Sequence, residues 1–305
     1  MDLAIFVEGQ YGLTWERWKR LARAIEDLGY AAVFRSDHFT MRQPPDTDSL
    51  EMWVSLTWLA GNTSRVEFGP LVSPVSFRHP VFTARMAKDV DDLSGGRLRL
   101  GLGAGWQERE HTMFGFDLLD LKSRFDRFEE GLEVITRLLR DDSPVEFEGQ
   151  YYQLRSAQLL PRPARPGGPP IVIGGSGKRR TLPMVAKYAN EWNASRIPPA
   201  ELKDLNRYLD GLLEEEGRAP EDVFRSIMVN LILGEDQTEI ERGLQARGMT
   251  LETAQYKGLL GSMAQIVDQL GEYAEAGAQR VILQWVDLDD LDTLEAIAAS
   301  VLPQL

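Results

Sequence analysis

Eight short apolar runs, beginning near residues 2, 31, 66, 98, 171, 191, 227 and 281, punctuate this chain, and nearly all lead into stretches with helical spacing. Strands covered on both faces need no polar alternation, so runs such as Ile171-Val172-Ile173 read as members of a parallel sheet. Regular alternation of such strands with helices marks the α/β class. Eight units predict a (β/α)8 TIM barrel. An open doubly wound sheet would more commonly carry its glycine-rich turn after the first strand, and here that turn follows the fifth. Residues 1–305 read as one domain with an insertion after the fourth helix, an excursion over about 141–170. Six prolines lie between Pro144 and Pro170, and Val145 to Leu154 alternates around Gly149 like a hairpin.

Local signals place several helices. Thr14 is positioned to cap one whose Trp15, Trp18, Leu21, Ile25 and Leu28 share a face, with Gly29 closing it. Pro80 opens another that stops at Ser94-Gly95-Gly96. Ser123 is expected to cap a third, and Glu239 to Leu260 reads as one polar helix.

Composition narrows the partners. A net charge of -13 argues against nucleic acid and against anionic membrane surfaces. No segment has the apolar length to cross a bilayer, and MDLAIFVEGQ lacks a basic leader. Without cysteine there is no disulfide, thiolate nucleophile or Cys-based metal site. The three histidines are too scattered for metal-ligand spacing, and His79 and His111 read as structural or surface residues. A cytoplasmic protein acting on a small molecule fits these limits.

In such a barrel the chemistry sits at the carboxyl ends of the strands. Four clusters fall there: Ser36-Asp37-His38, Gly69-Pro70-Leu71-Val72-Ser73, Gly103-Ala104-Gly105-Trp106 and Gly174-Gly175-Ser176-Gly177. The last is followed by Lys178, Arg179 and Arg180 and a helix-compatible segment. Strand, glycine turn and helix aim backbone N–H groups at an anion, although the glycines alone serve equally to make a bare turn. His38 can exchange a proton near neutral pH, or cap backbone groups at its strand end. Strand neighbours point to opposite faces, so Asp37 is not expected to orient His38. Trp106 offers an aromatic face to a planar ligand, or packs under a loop. A phosphate turn, a planar wall and one poised histidine together suit a phosphorylated aromatic cofactor.

These residues also carry a resemblance. Ser36-Asp37-His38-Phe39, Phe77-Arg78-His79-Pro80, Asp91-Asp92-Leu93-Ser94-Gly95-Gly96-Arg97 and Gly101-Leu102-Gly103-Ala104-Gly105-Trp106 are its first motifs. The Ile173-to-Gly177 turn with Arg180-Thr181-Leu182, and Gly277-Ala278-Gln279-Arg280-Val281, complete it. Over nearly its whole length the chain resembles the bacterial luciferase-like flavin oxidoreductase (luciferase-like monooxygenase) superfamily, most closely the branch using the deazaflavin F420. The resemblance implies a TIM barrel that holds a flavin or deazaflavin, with a non-proline cis peptide at Leu71-Val72 beneath the ring. It places the cofactor on Asp37, His38, Leu71, Val72, Ser73, Gly105, Trp106 and Arg180, with its phosphate on Gly174, Gly175, Ser176 and Gly177. His38 matches the histidine at the hydride-transfer centre of the family's F420-dependent sugar-phosphate dehydrogenases.

Two departures qualify the match. Those dehydrogenases carry a glutamate where this chain has Trp106 and a tryptophan where it has Arg42, which points to a more apolar substrate face. Glu8 and Glu110 are the remaining acids expected to reach the pocket as catalytic groups. The expected activity is hydride transfer between F420 and a small organic substrate by a homodimer that uses no metal. The alternatives are an FMN-dependent monooxygenase and a non-catalytic flavin-binding barrel.

Overall fold

The computed structural model describes residues 1–305. Its barrel strands are β1 (Asp2–Val7), β2 (Ala32–Arg35), β3 (Glu67–Pro70), β4 (Leu100–Gly103), β5 (Ile171–Gly174), β6 (Glu191–Ser195), β7 (Phe224–Leu233) and β8 (Arg280–Trp285). All neighbours are parallel, in the order β3, β2, β1, β8, β7, β6, β5, β4. The (β/α)8 TIM barrel predicted from the eight runs is therefore the fold.

Closure occurs between β3 and β4. Phe68 bridges Leu98, donating its N–H to the Arg97 carbonyl at 3.1 Å and accepting from Arg99 at 2.8 Å. Beyond β3 the chain passes through a cis peptide at Leu71-Val72 and pairs with β4 again over Ser73–Pro74. The two strands lie too close for side chains at this seam. A Cβ on Gly69 would stand 1.8 Å from the Arg99 carbonyl oxygen, and one on Gly101 would stand 2.0 Å from that of Pro70.

Alternation along each strand divides the core. From β1, Leu3, Ile5 and Val7 join the layer between sheet and helices, while Ala4 and Phe6 fill the barrel interior with Ala32, Phe34, Leu71, Val172, Met228 and Ile282. The amino end of the barrel is plugged by charge instead. Arg280 donates to Asp2 at 2.9 Å and to Glu67 at 2.7 Å, and Arg99 reaches the other Glu67 oxygen at 2.7 Å. Fully buried Glu191 stands 3.8 Å from both Arg99 and Arg280. Burial pushes the Glu191 carboxyl up, and the Arg280 guanidinium opposes that shift.

Most helices follow the expected signals. Thr14 accepts the Arg17 N–H at the start of Trp15–Asp27, and Gly29 leaves that helix with φ +94°. Pro80–Ser94 ends on a left-handed Gly95. Three expectations need correction. Leu121–Arg140 is capped by Asp120, which accepts from Lys122 and Ser123, so Ser123 lies inside the first turn. The single polar helix over Glu239 to Leu260 is two helices, Gln237–Ala246 and Leu251–Lys257, separated at Gly248 with φ +58°. A short strand, Gly258–Gly261, then pairs with Asn230–Leu233 of β7. The fourth barrel run, expected over Leu98 to Leu100, pairs later, from Leu100 through the glycines to Gly103. Between Leu121–Arg140 and β5 lies an antiparallel hairpin, Val145–Glu148 with Gln153–Ala157. No helix is long and apolar enough to cross a membrane.

Candidate active site

A cavity of about 780 Å³ opens at the carboxyl ends of the strands. All four clusters contribute to its wall: Asp37 and His38 after β2, Leu71 and Val72 after β3, Gly105 and Trp106 after β4, and Gly174 and Gly175 at the end of β5. Glu8 and Glu110 line it too. Ser73, Ser176, Gly177 and Arg180 do not. Ser73 lies just beneath, donating its hydroxyl to Asp37 at 3.0 Å. Arg180 is drawn sideways to Asp126 of Leu121–Arg140 at 2.7 Å.

His38 is held by an acid distant in sequence. Its Nδ1 donates to Glu110 Oε1 at 2.8 Å, and Glu110 Oε2 accepts the Phe39 N–H at 3.0 Å. Glu110 is buried on a short helix, Glu108–Phe114, within the segment after β4. With Nδ1 so engaged, Nε2 is left without a protein partner in a ring that borders the cavity. Burial disfavours the His38 imidazolium, but the hydrogen bond and charge of Glu110 outweigh it, aided by Glu8 and Asp37. The net shift is upward from the ordinary histidine value. Trp106, 56% exposed, meets the His38 ring edge-on, with centroids 5.4 Å apart.

Asp37 serves a different partner. Arg78 grips it through two contacts of 2.5 and 3.1 Å and extends to Glu51 at 2.6 Å. Glu8 accepts from Gln10 at 2.8 Å and Gln284 at 2.5 Å, with Arg196 3.9 Å away. His111 is structural: its Nδ1 donates to the Gln107 carbonyl and its Nε2 accepts from Ser76. His79 caps Pro80–Ser94 by accepting from Val81. No group of acids and histidines is arranged to hold a metal ion.

The glycine turn leaves several backbone donors unused. The Gly175 N–H is used by the Asn193 carbonyl at 2.9 Å, and the Leu182 N–H by that of Gly177 at 3.0 Å. The N–H groups from Ser176 to Thr181 find no acceptor in the protein, and they precede the helix Thr181–Tyr188. Val72, just after the cis bond, shapes the floor. A Cβ on Gly103 would come within 2.5 Å of Val72 Cγ2, and one on Gly174 within 3.4 Å of Cγ1. Gly103→Ala is expected to displace Val72 and cost about 1–3 kcal/mol by overpacking. A denaturant titration reads this, and an unchanged midpoint would contradict it.

Gln10, Arg78, Arg124, Thr181, Arg196 and Gln284 were not singled out as site residues by the sequence. All but Arg78 line the cavity, and Arg78 acts on Asp37. Arg78 and Arg196 had a readable signal, a lone cation just past a barrel strand. Arg124 had none, because a helix residue is brought to the site only by packing.

Comparison with known proteins places this geometry. The luciferase-like monooxygenase family model matches residues 3–259. An F420-dependent glucose-6-phosphate dehydrogenase of Amycolatopsis mediterranei is 29% identical over 284 residues, covering 90% of this chain and 80% of its own. A 4-hydroxyprotoasukamycin monooxygenase of Streptomyces nodosus subsp. asukaensis is 29% identical over 188 residues, covering 62% of this chain and 49% of its own. The solved structure of an F420-dependent secondary alcohol dehydrogenase with an F420-acetone adduct superposes with a TM-score of 0.87 at 18% identity, covering 99% of this chain and 98% of that one. At that identity the superposition speaks for the fold alone. The chain belongs to the luciferase-like monooxygenase family of oxidoreductases.

Proposed function

We propose that this chain is an F420-dependent oxidoreductase that moves a hydride between the deazaflavin and a small alcohol or carbonyl compound. The observation that carries the reading is His38, fixed at Nδ1 by buried Glu110 and bordering a cavity that also reaches Gly174, Gly175 and Thr181, at the two ends of the turn with unpaired N–H groups. That cradle and the bulge at Val72 suit a phosphate-bearing planar cofactor. Residues Gly174, Gly175, Ser176, Gly177 and Thr181 would hold its phosphate. Leu71 and Val72 would support its ring, and Asp37 would be kept in place by Arg78 and Ser73. Arg180, paired with Asp126, is assigned to the rim of the cradle.

Bound F420 supplies a two-electron hydride donor and acceptor that reacts poorly with oxygen. The rest falls to the protein. His38 Nε2 gives a proton to the substrate oxygen when a carbonyl is reduced, and takes the hydroxyl proton when an alcohol is oxidised. Glu110 holds the tautomer and ring orientation that leave Nε2 free. Trp106 excludes water and favours apolar substituents, where a sugar phosphate would find no matching acid. Glu8, tied to Gln10 and Gln284, is placed to accept from a substrate hydroxyl.

Because the His38 value is raised, its proton is present below the ordinary histidine range and lost only as pH climbs through the raised value. Carbonyl reduction should therefore fall, and alcohol oxidation rise, as pH passes that point. Glu110→Gln removes the charge that sustains the imidazolium while burial still opposes it. The inflection of the kcat profile should then move to lower pH, and an unmoved inflection would contradict the pairing.

The reading includes a cytoplasmic homodimer. Exposed Val54 on Met52–Asn62, with Phe82 and Leu93 on the neighbouring Pro80–Ser94, offers apolar surface to a second copy. An FMN-dependent monooxygenase is the second reading, and a relative named as a monooxygenase is what favours it. Anaerobic incubation with F420 and a panel of secondary alcohols and ketones, followed by cofactor absorbance, tests the proposal. Binding without any absorbance change across the panel would overturn it.

A further inference from the structure

A second cavity, of about 400 Å³, lies at the opposite end of the barrel, beside the amino ends of β5 and β6. Arg140, Arg165, Lys187 and Arg218 line it, and no acidic residue does. In a protein of net charge -13, four cations around one opening reverse the local sign of the field.

Helix dipoles explain part of this. Arg140 and Lys187 lie in the last turns of their helices, where a cation is favoured. Arg218 is spent on backbone, donating to the carbonyls of Ala186 and Ala189 at 2.8 Å each and of Asp222 at 3.1 Å. Arg165 is paired with Asp91 at 3.2 Å. Arg140 has no such pairing beyond its helix end. Its guanidinium has no carboxylate partner and reaches only the Asn190 side-chain carbonyl, at 3.3 Å. Lys187 stands 4.0 Å from Glu129, with its Nζ 4.8 Å from the centroid of the Tyr188 ring, and no closer carboxylate holds it. A turn with Gly167 at φ +82° and Gly168 at φ +74° forms part of the wall, where a Cβ on Gly168 would press within 3.0 Å of Leu139.

We infer that this pocket is an anion site for a phosphate group, held chiefly by Arg140 and Lys187 with Arg165 and Arg218 behind them. A planar guanidinium fork matches a tetrahedral oxyanion through two parallel hydrogen bonds, and a lysine adds a point charge. The cavity holds several phosphate volumes, so it admits free phosphate or a phosphate ester. The site is independent of the cofactor cradle, which lies at the carboxyl end of β5.

Calorimetric titration with inorganic phosphate and, separately, with glycerol 3-phosphate tests this in the full chain, Arg140→Gln, Arg140→Lys and Lys187→Gln. Any phosphate bound at the cradle contributes equally to all four proteins, so a component that changes with Arg140 reports the second pocket. Losing one charge-assisted contact should weaken that component by about tenfold or more in Arg140→Gln. Arg140→Lys should weaken it less, and exposed Lys187→Gln provides the same reading should Arg140→Gln prove poorly folded. Tighter binding of the ester than of phosphate would identify an organic phosphate as the ligand. Isotherms indistinguishable between the native chain and both glutamine variants, or no such component in the native chain, would overturn the assignment.

Discussion

His38→Ala is expected to lower turnover by about 10²–10⁴-fold, the usual worth of a positioned proton donor or acceptor. Cofactor affinity should hardly change, because the cradle N–H groups lie in the turn between β5 and Thr181–Tyr188, not in the segment after β2. The split between the two quantities is the informative part. A purely structural His38 would lower cofactor affinity along with turnover, whereas a proton-exchanging one leaves cofactor affinity and removes turnover. Steady-state rates with binding titrations on the same preparation make the comparison, and unchanged turnover would remove His38 from the chemistry. The variant also strands Glu110, which would keep only the Phe39 N–H as a partner. A modest fall in melting temperature should therefore accompany the kinetic loss.

Arg280→Ala should cost about 3–5 kcal/mol of stability, the scale for removing one partner from a buried ionic network. Arg280 is the cation shared by Asp2, Glu67 and Glu191 at the amino end of the barrel. Without it, Glu191 would be left to Arg99 alone at 3.8 Å, inside a sheet that gives it no water. Chemical denaturation measures the effect. A loss well under a kilocalorie per mole would mean that solvent enters this end of the barrel. The candidate active site lies at the other end, so the folded fraction should keep its catalytic constants.

What could be read in the sequence was what is local. The apolar runs located the strands because burial on both faces writes itself into a few consecutive residues, as at Ile171-Val172-Ile173. The β5 turn was readable because its glycines and following helix are contiguous. By contrast, the His38–Glu110 bond joins residues 72 positions apart, and the Arg78–Asp37 pair spans 41. Glu110 stood out as an acid near the pocket, but only the fold shows that it grips Nδ1. The β7–β8 segment was misread because its polar residues keep helical spacing across Gly248, where the backbone turns left-handed. Glu191 read simply as the start of a strand. Its burial among arginines depends on Arg99, just before β4, and Arg280, at the start of β8, converging on it. The cis peptide at Leu71-Val72 carries no local signal, and its position came from family resemblance.

The most direct test of the central claim is a parallel anaerobic titration of the purified chain with F420 and with FMN, read as dissociation constants. Both cofactors carry a phosphate that the proposed cradle would hold, so the ring and its flanking groups would separate them. Hydride transfer through F420 predicts at least about tenfold tighter binding of F420, a difference of about 1.4 kcal/mol. Equal affinity, or tighter binding of FMN, would contradict it and favour the monooxygenase reading.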